Sequence, residues 1–327
     1  HDHMHEQVCM TLTMKMALSR VYALAILASN ICVSQSIPIS TVVVNRSTTG
    51  VLTGRHALFW LEPYTNLTSV ADYKQAWRQW EQNKRDGYIL AGSAYAAKLN
   101  GSLGYADAAG EGLEGVLMER YGFPALKSMG LRTIAMVYVT HFAAIKIIIA
   151  NPQPFISQLI AKAKAVGLDG FDIDYEPQGA ATHRPDLLEM DAGFMQVLTL
   201  LAAAMTKENL ILTIDTGACP KFFDFTCSAA SQLAGLNQVN TMSVFNVHSL
   251  DDFKAQETLN LPALGPKWAP GFEPGNLKAN QGQVFKDILA YAATTNVRTI
   301  ATWEVHECNV GDQPQWLFDA VNAFLDA

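Results

Sequence analysis

Eight short apolar runs, separated by segments with helical spacing, constrain the fold of this chain more than any other feature. The runs are residues 57–61, 88–93, 133–139, 168–175, 210–216, 239–245, 268–272 and 299–303. Between them, apolar residues recur near helical spacing, most clearly over 154–166 and 186–206. Strands that alternate with helices indicate a parallel sheet, and eight such units predict a closed (β/α)8 TIM barrel of class α/β.

The length agrees with a single barrel. The chain has 327 residues, and a barrel typically needs about 250. No low-complexity linker divides the chain, so we predict one catalytic domain over residues 50–327. The net charge is −7 and no basic run occurs, which argues against nucleic acid as a partner.

The N-terminal residues have the order of a secretory signal, which is basic, then apolar, then small. Lys15 and Arg20 precede the apolar stretch 21–33, and Ser36 follows it. We therefore expect residues 1–36 to be an N-terminal extension and signal peptide, with Ile37 as the first mature residue. The alternative is a membrane anchor, but the run is shorter than the roughly 20 residues that a spanning helix needs. The prediction is a secreted or lysosomal/vacuolar protein with no membrane attachment after signal cleavage.

Glycosylation sequons and cysteines fit that compartment. Acceptor sequons begin at Asn45, Asn66 and Asn100, which together predict a glycoprotein. Cys219 and Cys227 enclose a short loop, so we expect a disulfide between them under oxidising conditions. Cys308 is left either free or paired differently.

The segment 168–177 carries three carboxylates with a spacing of two residues. Side chains alternate between the faces of a strand, so Asp172, Asp174 and Glu176 share one face. Barrel strands usually direct bulky aliphatic residues inward, and buried carboxylates are costly unless they share protons. Glu176 is last on the strand, at the barrel mouth, where a raised pKa would make it a general acid. The alternative interpretations are a solvated strand end or a divalent cation site, although no second acid cluster accompanies it. We therefore predict no metal and no cofactor.

These residues resemble the signature of glycoside hydrolase family 18, the chitinases and related endoglycosidases. The family pattern Asp-Gly-x-Asp-x-Asp-x-Glu on barrel strand four is matched by Asp169, Gly170, Asp172, Asp174 and Glu176. The segment from Thr213-Ile214-Asp215 to Cys227 also resembles the chitobiase branch of the family. Many chitinases insert a small α+β domain between strands seven and eight, for which the stretch 273–298 has no room.

The resemblance implies a retaining mechanism that the substrate assists. Glu176 would protonate the glycosidic oxygen, and the 2-acetamido group of the sugar would attack the anomeric carbon to give an oxazolinium ion. Asp174 would orient that group, and Asp172 would support Asp174 by a hydrogen bond.

The chain departs from the family pattern on strand six. Family members place a tyrosine there, whose hydroxyl supports the acetamido group. Here the segment reads Thr241-Met242-Ser243-Val244-Phe245-Asn246, so Val244 or Phe245 replaces the tyrosine. Ordinary core packing explains Met242 and Phe245 equally well. The loss of one such donor would slow an enzyme.

Further candidates surround the predicted mouth. The resemblance places Trp303 under a sugar ring, where an aromatic face suits the apolar face of the sugar; core packing is its alternative. The remaining candidate substrate-binding residues are Asp169, Asp215, Phe245 and Asn246. Asp215 has a loop-capping role as its alternative.

The sequence thus predicts a monomeric glycoside hydrolase that cleaves β-linked N-acetylglucosamine in chitin oligomers or in the core of N-glycans. The alternative is a non-catalytic, chitinase-like barrel that binds such sugars as a lectin or acts as an inhibitor. Retention of Glu176 favours the enzyme, and the missing tyrosine favours the binder.

Overall fold

The computed structural model describes residues 52, 54–64, 66–106, 112–178, 184–216, 229–242, 247–272, 281–303 and 314–327. The predicted leader, residues 1–36, lies outside this part of the chain. Among the described residues, no helix is long and apolar enough to cross a membrane.

Eight parallel strands close into a barrel. Together with the short β3, which lies outside the ring, the strands are β1 His56–Leu61, β2 Tyr88–Ala97, β3 Leu103–Tyr105, β4 Arg132–His141, β5 Gly170–Gln178, β6 Ile211–Thr216, β7 Gln238–Thr241, β8 Trp268–Phe272 and β9 Thr299–Thr302. The sheet order is β1-β9-β8-β7-β6-β5-β4-β2-β3, and an additional parallel pairing of β1 with β2 closes the ring. The predicted TIM barrel is confirmed, and each of the eight predicted runs overlaps one of its strands, although residues 243–245 of the sixth run lie outside the described part of the chain. The short β3, which the apolar pattern does not predict, extends β2 as an antiparallel hairpin.

Helices follow the strands around the barrel. They are α1 Val70–Ala76, α2 Arg78–Asn83, α3 Leu113–Leu117, α4 Phe123–Ser128, α5 Phe142–Ala150, α6 Pro152–Val166, α7 Arg184–Lys207, α8 Leu250–Leu264, α9 Gln281–Ala293 and α10 Gln315–Asp326. A π-helical turn, Met118–Gly122, joins α3 to α4. The two helices predicted at 154–166 and 186–206 are α6 and α7, each slightly longer than its apolar pattern.

The strand alternation divides the core into two layers. Leu58 and Trp60 of β1 pack inside the barrel with Ile134 and Met136 of β4. The intervening Phe59 belongs to the outer layer between the barrel and its helices. The same alternation on β5 places Phe171, Ile173 and Tyr175 in the outer layer, and it therefore directs the carboxylates of β5 into the barrel.

The outer face of β5 is anchored to α7. The ring of Tyr175 stacks on Phe194 with centroids 4.1 Å apart, and its hydroxyl donates to Asp191 Oδ1 over 3.0 Å. At the start of the strand, a Cβ on Gly170 would collide with the backbone carbonyl of Ile211 on β6. Glycine is therefore needed where these two strands approach each other.

Candidate active site

Three carboxylates of β5 rise along the inside of the barrel towards the carboxyl ends of the strands. Asp172 is fully buried, Asp174 is 5 % exposed, and Glu176 is exposed. On the neighbouring strand β4, Met136 pairs in register with Asp172 and Tyr138 pairs with Asp174. Asp172, Asp174 and Glu176, which we call the carboxylate ladder, thus run from the interior to the mouth, where TIM barrels bind their substrates.

Asp172, at the bottom of the ladder, accepts hydrogen bonds from three other strands. Trp60 Nε1 on β1 donates to Asp172 Oδ2 over 2.6 Å. Thr213 Oγ1 on β6 and Asn240 Nδ2 on β7 both donate to Asp172 Oδ1, the latter over 3.2 Å. Burial raises the pKa of Asp172, and its bonds to Thr213 and Trp60 act in the opposite direction because they stabilise the carboxylate.

Asp215, a fourth carboxyl group, joins the ladder from β6. It pairs in register with Asp174, and Asn240 Nδ2 donates to Asp215 Oδ1 over 2.6 Å. Burial, followed by the charges of Asp172 and Asp174, raises the pKa of Asp215 well above its ordinary value. The hydrogen bond between Asp215 and Asp172 raises the pKa of Asp215 and lowers that of Asp172. Burial thus raises the pKa of both carboxyl groups, and the hydrogen-bond donors around Asp172 oppose that rise.

Asp174 lies between these groups and Glu176. Burial raises the pKa of Asp174 well above its ordinary value, and the charges of Glu176 and Asp172 and a hydrogen bond to Glu176 raise it further. Among the described residues, Asp174 Oδ1 has no hydrogen-bond partner. The site thus places a buried carboxyl group with one oxygen lacking a hydrogen bond directly below an exposed glutamate.

The remaining predicted site residues that the structure describes lie in different places. Trp303 is half-buried after β9, and its ring packs edge-on against Trp60 with centroids 5.7 Å apart. Asp169 lies at the opposite end of β5 from Glu176 and accepts from the backbone N–H of Thr133 over 2.7 Å. The structure therefore gives Asp169 a contact between β4 and β5 and does not bring it to the mouth.

Several predictions concern residues outside the described part of the chain. These residues are the substrate-binding candidates Phe245 and Asn246 and the cysteines Cys219, Cys227 and Cys308. Within the described part, no group of three or more His, Cys, Asp or Glu side chains is arranged to hold a metal ion.

Sequence reasoning missed the neutral donors around the carboxylates. Trp60, Thr213 and Asn240 are separated by 153 and 27 positions, and barrel closure brings all three to Asp172. The sequence holds a weak signal for them, since Trp60 and Thr213 fall on inward positions of their strands. Their common partner follows only from the sheet register.

Solved structures share this architecture. A class V chitinase from Pseudomonas fluorescens superimposes with a TM-score of 0.60 at 13 % identity, covering 83 % of this chain and 99 % of that one. A Group IV chitinase from Ostrinia furnacalis gives 0.58 at 12 % identity, covering 84 % of this chain and 100 % of that one.

The spore cortex-lytic enzyme SleL of Bacillus cereus gives a TM-score of 0.60 at 11 % identity, covering 83 % of this chain and 75 % of that one. No protein-family profile and no curated protein sequence matches the chain. At these identities the likeness establishes the architecture, and the chain therefore has a chitinase-like (β/α)8 fold.

Proposed function

We propose that this chain is a glycoside hydrolase that cleaves β-linked N-acetylglucosamine in chitin oligomers or in the core of N-glycans. The observation that carries the proposal is the ladder of Asp172, Asp174 and Glu176, with two buried aspartates beneath one exposed glutamate. A barrel core has no structural need for such a ladder, because buried carboxyl groups cost free energy. General acid chemistry at a substrate does need it.

In the proposed reaction, Glu176 donates a proton to the glycosidic oxygen as the bond from that oxygen to the anomeric carbon breaks. The carbonyl oxygen of the 2-acetamido group forms a bond to the anomeric carbon, giving an oxazolinium ion and a neutral leaving alcohol. Water then adds to that carbon as the bond from the acetamido oxygen breaks, which restores the neutral acetamido group, and the water gives a proton to the Glu176 carboxylate. Asp174, whose Oδ1 lacks a partner among the described residues, would accept the acetamido N–H.

The structural neighbours support this substrate class. One of them is the Ostrinia furnacalis Group IV chitinase in complex with allosamidin, with a TM-score of 0.56 at 14 % identity. Others are chitinases from bacteria, and SleL is a cortex-lytic enzyme. We propose that the mouth of this barrel, between Trp303 and the carboxylate ladder, binds an N-acetylglucosamine-containing saccharide as a monomer without a cofactor.

A second candidate function is a non-catalytic barrel that binds these sugars. The observation in its favour is the segment 241–246, which has valine and phenylalanine where the family has a tyrosine. A lectin or inhibitor would keep the sugar-binding mouth and lose turnover.

Glu176→Gln separates the two candidates. Glutamine keeps the shape of the side chain but cannot supply the proton, so we expect a loss of hydrolysis of about 10²–10⁴-fold with nearly unchanged sugar binding. The assay is release of a fluorogenic aglycone from chitooligosaccharides, with calorimetry for binding. Glu189→Gln, an exposed position on α7, is the matched control and should leave both unchanged. Wild-type protein that binds the oligosaccharides and an N-glycoprotein without any turnover would contradict the enzyme and support the binder.

We also propose that the chain enters the secretory pathway, carries glycans and forms the Cys219–Cys227 disulfide. Asn66 and Asn100 are both exposed, as an acceptor asparagine requires. Intact mass of protein secreted by a eukaryotic cell, before and after deglycosylation, tests the first two points. Peptide mapping without reduction tests the third, and a bond from Cys308 to either cysteine would contradict it.

A further inference from the structure

A second polar cluster lies at the mouth, on the side of the ladder formed by β1, β2 and β4. Ser93 Oγ on β2 donates to Glu62 Oε1, just beyond β1, over 2.6 Å. The hydroxyl of Tyr138 on β4 donates to the same oxygen over 3.1 Å and lies 2.7 Å from Ser93 Oγ. The barrel order therefore brings a carboxylate and two hydroxyls from three neighbouring strands together.

This cluster adjoins Asp174. Tyr138 is the register partner of Asp174 across the β4–β5 pairing, and neighbouring strands lie only about 4.8 Å apart. Burial raises the pKa of the Tyr138 phenol well above its ordinary value, and the charges of Glu62 and Asp174 act in the same direction. The phenol thus keeps its proton on the strand next to Asp174, whose buried Oδ1 has no partner among the described residues.

Asp174 is flanked on its other side by groups that already have partners. Asp215 on β6 and Asn240 on β7 lie at the same level of the barrel, and they bond to each other and to Asp172. On the β6 side of Asp174 the polar groups thus already bond to one another, whereas Tyr138 is its register partner on the β4 side.

We infer that Tyr138, held by Ser93 and Glu62, contacts the 2-acetamido group of the sugar and supplies the phenol that the segment 241–246 lacks. The inference rests on the proposed function and assigns the part of the site that recognises the acetyl substituent. The acetamido N–H bonds to Asp174, and the Tyr138 hydroxyl bonds to the acetamido carbonyl.

The hydrogen-bond pattern permits this contact at small cost. The shorter bond, from Ser93 to Glu62 Oε1, remains when the Tyr138 proton leaves that oxygen. The Tyr138 hydroxyl lies 2.7 and 3.1 Å from Ser93 and Glu62, and its proton can turn to a ligand without breaking that bond.

The test measures binding in the Glu176→Gln background, in which hydrolysis is blocked. The probes are the N-acetylated chitotetraose and its fully deacetylated counterpart, titrated by calorimetry. Tyr138→Phe should weaken binding of the acetylated probe about 3- to 10-fold, the range expected for one hydrogen bond, and leave the deacetylated probe unchanged. Tyr105→Phe is the matched control, because that half-buried tyrosine bonds to Glu119 outside the barrel.

A double-mutant cycle tests the role of Glu62. Glu62→Gln should weaken acetylated-probe binding in the presence of Tyr138 and have no further effect in Tyr138→Phe, since the two act through one contact. Equal losses on both probes, no loss at all, or additive effects of the two substitutions would overturn the inference. Failure of the Glu176→Gln protein to bind any acetylated probe would instead overturn the proposed function on which it rests.

Discussion

Replacement of Trp60 by phenylalanine removes the hydrogen bond from its indole N–H to Asp172, the most deeply buried carboxyl group of the ladder. Trp60 and Trp268 are both fully buried, and each indole donates one bond. Trp60 donates to the Asp172 carboxylate over 2.6 Å, and Trp268 donates to the neutral Thr241 hydroxyl over 2.9 Å. Trp268→Phe therefore removes the same atoms and serves as the matched control.

The expected difference follows from the charge of the acceptor. A hydrogen bond to a charged group contributes about 1.5–3 kcal/mol, and one between neutral groups about 0.5–1.5 kcal/mol. We expect Trp60→Phe to lower the free energy of unfolding at pH 7 by about 1–2 kcal/mol more than Trp268→Phe does. Urea denaturation of both variants, followed by circular dichroism, measures the difference.

The difference should also depend on pH. The folded-state pKa of Asp172 is raised by burial, so its ionisation costs stability as pH rises through that value. The Trp60 bond lowers this pKa. Loss of the bond therefore increases the free-energy cost of ionising Asp172 at neutral pH. In acid, where Asp172 is protonated, loss of the bond has little effect on that cost. The penalty of Trp60→Phe should thus exceed that of the control at pH 7 and approach it near pH 4. Equal penalties at pH 7, or an excess that grows in acid, would refute the reasoning.

Two further predictions concern buried titratable groups with opposite pH dependence. Burial raises the pKa of Asp191 from 3.8 to about 6. The contribution of Asp191 to the free energy of unfolding is therefore fully present below pH 3.8 and is lost as pH rises through 6. Asp191→Asn, which can still accept from Tyr175, should raise the free energy of unfolding at pH 7 by about 2–3 kcal/mol and change it little at pH 3.5. Burial lowers the pKa of His56 to about 4 from 6.5, so its contribution is present above pH 6.5 and is lost as pH falls through 4. His56→Gln should reduce the loss of stability between pH 6.5 and pH 4 by about 3 kcal/mol. Denaturation midpoints measured over pH 3.5–7.5 test both predictions. A variant whose midpoints stay parallel to those of the wild type would contradict its prediction.

Much of the barrel is predictable because its strands are buried on both faces. Such strands appear as short apolar runs bounded by polar segments, and the runs 57–61 and 268–272 correspond to β1 and β8 almost residue for residue. The hairpin strand β3 escapes prediction, since its three residues Leu103–Tyr105 are only half-buried and carry no periodicity. The apolar pattern predicts α7 three residues shorter than it is, because the first turn of this helix contains Arg184 and Pro185 rather than apolar residues.

The candidate site is predictable only where its residues share one strand. The period of two places Asp172, Asp174 and Glu176 on one face from the spacing alone. The same motif includes Asp169 in the substrate-binding set, although its odd spacing and its position at the far end of β5 give it a contact with Thr133 instead. Residues at the two ends of such a strand are separated by about 20 Å at roughly 3.3 Å per residue, so a shared motif does not imply a shared site.

The sequence by itself determined the number of barrel strands, the inward direction of the β5 carboxylates and the position of Glu176 near the carboxyl end of its strand. These are local properties, set by side-chain alternation and by burial along a few consecutive residues. The tertiary structure alone decided that Trp60, Thr213 and Asn240 bond to Asp172. It also decided that Asp215 bonds to Asn240, and that Glu62, Ser93 and Tyr138 meet on the strands next to β5. Those contacts depend on the register between strands and on closure of the barrel, which bring together side chains that lie tens to hundreds of positions apart in the chain.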